Sequence, residues 1–526
     1  MQTLKGPPEG GPYGNRWRQS VWHGANAAVA TNRVVFAFCI LNFALTIAAA
    51  GCAKSAPSLA APAKPDATQT LRTDLLAATH LPGVQHAAWG IVIHSLDRDE
   101  RLFELNPRTL LVPASSAKMV SVASAVDAVG WDYRFQTTLQ TTGTISDGVL
   151  HGDLIVVGSG DPSIAGRGGN DVTAWIEALK AQGITRIEGR IIGDDDAIEE
   201  PRPQLAWTWD DLGYPTGALF GALNFAENRT SVTIAPGTTA AAPTTLSSER
   251  YAAAIPLTNR SVTGAAGSMQ LLWPEQRPGE PFLTIAGSIP VGARPVTLAI
   301  AAGNPTFWFA GMFRQRLIRA GIEVNDDAWD VDDVMPKPDR ASARTLFTYR
   351  SPPLSDIAVP ALKESINLYG EAFLRLNAAP GTFPTNDAAL DGLRQRLSKW
   401  GVPSDGQQLV DGSGLSRRDV ITPEALLIVL RHMYDSTGAS PWMRALPVAG
   451  VDGTLNNRMK GTLAEGNLRA KTGTMSNIRS LAGYVTTRDN ERVAIVVMVN
   501  NFEGTGAQAI QAIDAMAVRL ANFSRN

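Results

Sequence analysis

A serine followed three residues later by a lysine can make and break acyl bonds, and Ser115 and Lys118 stand so in the run Pro113-Ala114-Ser115-Ser116-Ala117-Lys118. On a helix the two side chains share a face. A helix that begins at Ser115 surrounds the hydroxyl with free N–H groups and the positive end of its dipole, which suits a developing oxyanion. The run AKMVSVASAVDAV, ending at Val129, is apolar or small almost all round, so this helix is expected at the centre of a domain. One turn inside it, burial disfavours the charge on Lys118, and a neutral amine can take the proton of a serine. No other lysine in the chain has a serine three residues before it.

Two further groups bear on the same chemistry. Lys471-Thr472-Gly473-Thr474 falls on a predicted strand just before a turn. A strand edge with a small residue at Gly473 lets a substrate backbone approach and pair, and Lys471 supplies positive charge for a terminal carboxylate. Ser365-Ile366-Asn367 precedes a predicted helix at 369–376. Taken singly, the first reads as a strand running into a turn, and the second as a helix cap.

Their order changes the reading. Ser-x-x-Lys, Ser-x-Asn and Lys-Thr-Gly follow one another as in penicillin-binding proteins and serine β-lactamases. The chain resembles the D-alanyl-D-alanine carboxypeptidase/endopeptidase family of low-molecular-mass penicillin-binding proteins, the class C, peptidase S13 group. Gly152-Asp153-Leu154 with Gly158-Ser159-Gly160-Asp161-Pro162, Asp411-Gly412-Ser413-Gly414-Leu415-Ser416-Arg417, and Asp452-Gly453-Thr454-Leu455 carry the likeness along nearly the whole chain from about residue 70.

The resemblance implies that Ser115 is acylated and that Lys118 is its base. Ser365 would relay a proton to the leaving amine and Asn367 would hydrogen-bond substrate. Lys471 and Thr472 would hold the carboxylate end beside Gly473, and the N–H groups of Ser115 and Thr474 would form the oxyanion hole. Ile366 departs from the family, where relatives often carry a polar residue, and this bears on how Asn367 is positioned. The implied partners are peptidoglycan stem peptides, with β-lactam antibiotics as covalent inhibitors; no cofactor or metal is expected. A serine β-lactamase would share the triplet. However, 246 residues separate Lys118 from Ser365, and no Glu-x-x-Leu-Asn segment supplies a deacylating glutamate. A catalytically silent peptidoglycan-binding scaffold would be expected to lose a motif residue, and none is lost.

The elements that must position these groups read as an α/β (α+β) chain. The resemblance implies a penicillin-binding-protein/β-lactamase-like transpeptidase domain made from residues 69–134 and 341–526, with two nested β-rich inserts in 135–340. The outer insert would take about 135–205 and 297–340, the inner about 206–296. Helices are expected at 71–79, 171–182, 306–320 and 507–521, and strands at 87–95, 149–158, 187–193 and 231–236. Adjacent antiparallel strands are expected at 469–471, 480–486 and 492–499.

Composition agrees with an ordered enzyme. The chain of 526 residues is 44% apolar and 18% charged with a net charge of −2, which leaves no electrostatic footprint for nucleic acid. Its two cysteines, Cys39 and Cys52, lie near the N-terminus, and its six histidines show no close ligand pairing. Residues 34–51 form an apolar run behind Lys5, Arg16, Arg18 and Arg33, the pattern of an export signal or a retained membrane anchor. Ala49-Ala50-Gly51-Cys52 resembles a lipobox, which makes Cys52 a candidate for lipidation. The Ala/Pro/Ser-rich residues 53–68 read as a tether. The expected location is therefore the cell envelope or periplasm, with contact to a membrane through the N-terminal lipid or anchor.

Overall fold

The computed structural model describes residues 66–167, 169–248, 256–277 and 282–526. The export signal, Cys52 and residues 53–65 of the tether lie outside them. Asp66, by contrast, caps the helix Ala67–Ala78 by accepting the Thr68 N–H at 3.3 Å, so 66–68 belongs to a helix start and not to the tether.

The strand Arg492–Asn500 shows how the core is organised. Val493, Ile495, Val497 and Val499 enter one apolar cluster, while Ala494, Val496 and Met498 enter another. A strand buried on both faces loses the polar alternation of a one-sided sheet, which is why its sequence is nearly continuous apolar. It is the middle strand of an antiparallel sheet in the order Glu100–Leu105, Ala88–Ser95, Arg492–Asn500, Ile478–Thr486, Arg469–Met475. Helices Ala67–Ala78 and Gly506–Ala521 cover one face, the second opened by a capping box between Thr505 and Gln508. On the other face lie Ala117–Val129, Leu354–Lys363, Asn367–Arg375 and Pro423–Asp435. The helix Ala117–Val129 is buried at every position from Ala117 to Val126, and Gly130 ends it at φ +85°.

Between these halves the chain builds four more sheets. A five-stranded and a four-stranded sheet draw on residues 136–194 and 323–350, with helices Thr173–Ala181 and Pro305–Arg319 packed on them. Two three-stranded sheets from residues 229–301 share a small core of their own. The expected single strand at 149–158 is two strands in different sheets, Val149–His151 and Leu154–Val157. The chain changes sheet at Gly152, φ +146°, where a Cβ on the neighbouring Gly189 would lie 2.5 Å from the Gly152 carbonyl. Gly189 breaks the expected 187–193 strand at the same crossing, leaving Arg186–Ile187 and Ile191–Asp194. Arg344–Arg350 pairs with Gln136–Thr141, so these residues, which the expected boundary at 341 gave to the catalytic domain, lie in a sheet of the inserted segment.

Trp175 is the centre of the larger insert core. Its ring lies 5.1–6.5 Å from those of Tyr349, Phe313, Phe309 and Phe347, which joins both helices to the sheet. Trp175→Ala is expected to destabilise this region by about 3–5 kcal/mol, measured as a shift in the denaturant unfolding transition; a loss below about 1 kcal/mol would contradict the placement.

Candidate active site

Ser115 sits in a short 3-10 turn, Ala114–Ser116, that runs directly into the helix Ala117–Val129. Three ties hold this entry to the sheet. The Asn500 side chain accepts from Val112 N–H at 2.8 Å and donates to Val112 O at 3.1 Å. Ser480 Oγ donates to Pro113 O at 2.7 Å, and the Ser116 and Ser480 hydroxyls pair at 2.7 Å. Ala114, just before the serine, is held at φ +48°, a conformation that costs energy for a residue with a Cβ. The expected helix start at Ser115 is therefore a tighter turn anchored from behind, by Asn500 and Ser480, which carry no motif of their own.

Lys118 is wholly buried, and its Nζ lies 3.0 Å from Ser115 Oγ, 2.6 Å from Asn367 Oδ1 and 2.7 Å from Ser413 O. Asn367 Oδ1 and the Ser413 carbonyl can only accept. A neutral amine that donates its two protons to them is left with its lone pair for the Ser115 hydroxyl. Burial lowers the Lys118 pKa to about 8, with Asp411, Glu371 and Asp419 pulling it back upward. The site thus prepares a serine–amine pair by geometry and by dielectric together.

Lys471 projects from the edge strand Arg469–Met475, opposite Ala482, whose side chain lies in the cluster around the central helix. It too is fully buried, and Nζ donates to Ser365 Oγ at 2.8 Å and to Thr472 O at 2.7 Å. Burial first and Lys118 second drive its pKa well below that of a free lysine. Lys471 is not among the residues lining the cleft, whereas Ser365, Thr472 and Thr474 are. Its amine therefore sits behind Ser365 and meets the cleft through that hydroxyl, whereas the resemblance implied that it holds a carboxylate. Gly473 is also corrected. A Cβ there would lie 2.2 Å from Ser480 Oγ and 2.3 Å from Pro113 O, so the glycine makes room for the anchored serine turn and not for substrate.

Ser365 occupies φ +61°, strained for a non-glycine residue, immediately ahead of the helix Asn367–Arg375. Since it accepts from Lys471, its own proton is free to point into the cleft. Ile366, where a polar residue was expected, packs against the main core and pins this bend. Asn367 meets Lys118 at one end of its amide, and its Nδ2 donates to Thr216 O at 2.8 Å at the other. Both ends are engaged within the protein, so Asn367 orients Lys118, and it also lines the cleft where the resemblance implies a contact with substrate.

The Ala470 N–H donates across the free edge of the sheet to Pro447 O at 3.0 Å. Alternation along a strand points the N–H groups of Thr472 and Thr474 to that same side. The cleft at this edge measures about 380 Å³. Its lining joins Ser115, Ser365, Asn367, Thr472 and Thr474 to Gly414, Arg417 and Thr454, and to Asp211 and Thr216 from the inserted segment. Thr454 Oγ1 receives the Thr472 hydroxyl at 2.7 Å. The insert is tied in by Trp207, whose Nε1 donates to Asp411 Oδ2 at 2.8 Å, and by Leu205 O, which accepts from Ser416 Oγ at 2.7 Å. Residues of the intervening segment 135–340 therefore line the cleft together with the motif residues. Asp211 and Thr216 sit in no motif, and no signal in the sequence singles them out.

Among the described residues, Asp195, Asp196 and Glu200 bring three carboxylates within ligating range of one another, and Asp195 and Glu200 line a separate pocket. The Thr306 hydroxyl bonds Asp195 and the Lys337 ammonium bonds Asp196, so both already have internal partners.

Known proteins share this arrangement of chain. The sequence model of the D-Ala-D-Ala carboxypeptidase 3 (S13) family matches residues 71–523. A D-alanyl-D-alanine carboxypeptidase of Actinomadura sp. (strain R39) is 34% identical over 486 residues, 88% of each chain. The carboxypeptidase DacB of Haemophilus influenzae is 26% identical over 78% of this chain and 85% of its own. The crystal structure of penicillin binding protein 4 (dacB) from Haemophilus influenzae superposes with a TM-score of 0.73 at 24% identity, covering 87% of this chain and 99% of that one. With its mixed α/β fold and the family model matched along nearly all of the described length, the chain belongs to the D-Ala-D-Ala carboxypeptidase 3 (S13) family.

Proposed function

We propose that Ser115 is the acylated nucleophile of a serine-type D-alanyl-D-alanine carboxypeptidase/endopeptidase acting on the stem peptides of peptidoglycan. The observation that carries this is the buried Lys118 amine, with two fixed acceptors for its protons and Ser115 on its remaining side. Ser115 Oγ attacks the carbonyl of the penultimate D-Ala as Lys118 takes its proton. The oxyanion that forms is received by the N–H groups of Ser115 and Thr474. The proton taken up by Lys118 is relayed through Ser365, which is held by its hydrogen bond from Lys471, to the nitrogen as the C–N bond breaks; the terminal D-Ala or cross-link amine leaves, and Lys118 is neutral again. Water then hydrolyses the ester. A substrate carboxylate arriving near Thr472, Thr474 and Thr454 favours the charged form of Lys471 just behind them.

The family match and the Actinomadura relative's name support this activity, and the chain carries no Glu-x-x-Leu-Asn segment of the kind that supplies a deacylating glutamate in the related β-lactamases. Penicillin mimics the D-Ala-D-Ala end and should stay bound as a slowly hydrolysed ester. The export and lipidation of Cys52, with placement in the envelope or periplasm, rest on the N-terminal sequence alone. Mass spectrometry of the mature N-terminus tests them, and an unlipidated end inside the Ala/Pro segment would refute the anchor.

Ser115→Ala is expected to abolish covalent labelling by a fluorescent penicillin with a stability change of about 1 kcal/mol or less; stoichiometric labelling of that variant would refute the assignment. On the unsubstituted protein the adduct should persist for minutes or longer, whereas release within seconds would favour a β-lactamase.

Lys118 must be neutral to act as base, so acylation is expected to rise with pH and level off above about 8. Arginine cannot be deprotonated in a protein, so Lys118→Arg should be as slow as Lys118→Ala. Stopped-flow acylation measured across pH checks both, and a flat profile or an active Lys118→Arg would mean that Lys118 works through charge alone.

A further inference from the structure

The helix Asn367–Arg375 carries a second group toward Lys118. Glu371 lies four residues after Asn367 and so on the same face. It is 1% exposed, and its Oε1 accepts the N–H groups of Gly412 at 3.1 Å and Ser413 at 2.9 Å. The Gly412 carbonyl of this segment accepts from Ser121 Oγ at 2.7 Å, and the Ser413 carbonyl accepts from Lys118. The backbone has no slack there, since a Cβ on Gly412 would lie 2.3 Å from Gly370 O. One helix thus bears on both acceptors that orient the amine: Asn367 supplies one directly, and Glu371 holds the N–H of Ser413, the residue whose carbonyl is the other, while Asp411 holds the N–H of Gly414 in that carbonyl's own peptide.

We propose that Glu371 is a positioning residue that aims Lys118 at Ser115 through the Ser413 carbonyl, and that its charge is coupled to that of the lysine. The charged groups around it are Asp411 and Asp419 from the loop, Arg375 from its own helix, and Lys118 with Lys471 beyond. Asp411 already collects the N–H groups of Ser413, Gly414 and Ser416 and the Trp207 indole. Burial, then Asp411, pushes the Glu371 carboxyl up to about 7, close below the Lys118 range. As pH rises, Glu371 gains charge just before Lys118 loses its own, and each step resists the other. Ionised Glu371 favours the charged lysine, so removing that charge should free the amine at lower pH.

This proposal rests on Ser115 acylation, and the experiment separates the two. Penicillin acylation is followed from pH 5 to 9 for the unsubstituted protein, Glu371→Gln, Glu371→Ala and Ser115→Ala. Labelling that survives in Ser115→Ala would fail the nucleophile assignment, not the role of Glu371. Glutamine keeps an acceptor for both N–H groups without the charge. Between pH 7 and 8, Glu371→Gln should therefore acylate about two- to threefold faster relative to its own alkaline plateau. Glu371→Ala loses the clamp as well, and its plateau should fall by about tenfold or more. Normalised profiles of Glu371→Gln and the unsubstituted protein that superimpose would overturn the proposal. Should the variants not fold, the Lys118 signal of unsubstituted protein labelled with [13Cε]lysine decides: titration in two steps supports the coupling, and a single step overturns it.

Discussion

Two lysines are buried completely behind the wall of one cleft, and among the described residues no carboxylate is in hydrogen-bond contact with either nitrogen. Among the described residues, the hydrogen bonds returned to each come from neutral acceptors, two amide carbonyls and a serine for Lys118 and one carbonyl and a serine for Lys471, with buried carboxylates acting on Lys118 only at longer range. Such an environment favours the uncharged amine, and an uncharged amine next to a serine is a base. Much of the surrounding structure can be read as what it takes to hold that unfavourable burial in place. The helix around Lys118 is buried at every position from Ala117 to Val126, the two serines that meet the lysines flank or occupy positive-φ backbone, and the acceptor loop at 411–416 is locked by buried carboxylates.

That demand reaches beyond the domain built from the chain ends. Asn367 can present its oxygen to Lys118 because its nitrogen is satisfied by Thr216, and Asp411 holds its loop with help from Trp207. Both partners belong to the inserted segment. The insert therefore contributes a wall of the cleft and two of the bonds that orient the catalytic groups, while its more distant sheets carry cores of their own.

The chemistry was legible in the chain because it is carried by short motifs whose residue types have few alternative uses together. Ser115, Lys118, Ser365, Asn367 and Thr472 to Thr474 all converge, and the all-apolar profile after Lys118 gave its burial in advance. What the motifs left out was direction. Nothing in Lys-Thr-Gly tells that the lysine lies behind the wall or that the glycine faces Pro113 and Ser480, since both follow from a packing of the serine turn against the sheet. Strand runs at 149–158 and 187–193 were read as continuous because hydrophobicity does not break where the chain changes sheet; two glycines in contact do it. Asp211, Thr216 and Glu371 are single residues in unremarkable surroundings and acquire meaning only from distant parts of the chain, 41 positions away for Glu371 with Gly412 and 151 for Thr216 with Asn367.

The protonation state of Lys118 is the point on which this account turns, and neutron diffraction from deuterated crystals held above pH 8 observes it directly. The account predicts two deuterons on Nζ, aimed at Asn367 Oδ1 and Ser413 O, with the Ser115 deuteron pointing at the nitrogen. Three deuterons on Nζ, with one directed at Ser115 Oγ, would contradict it.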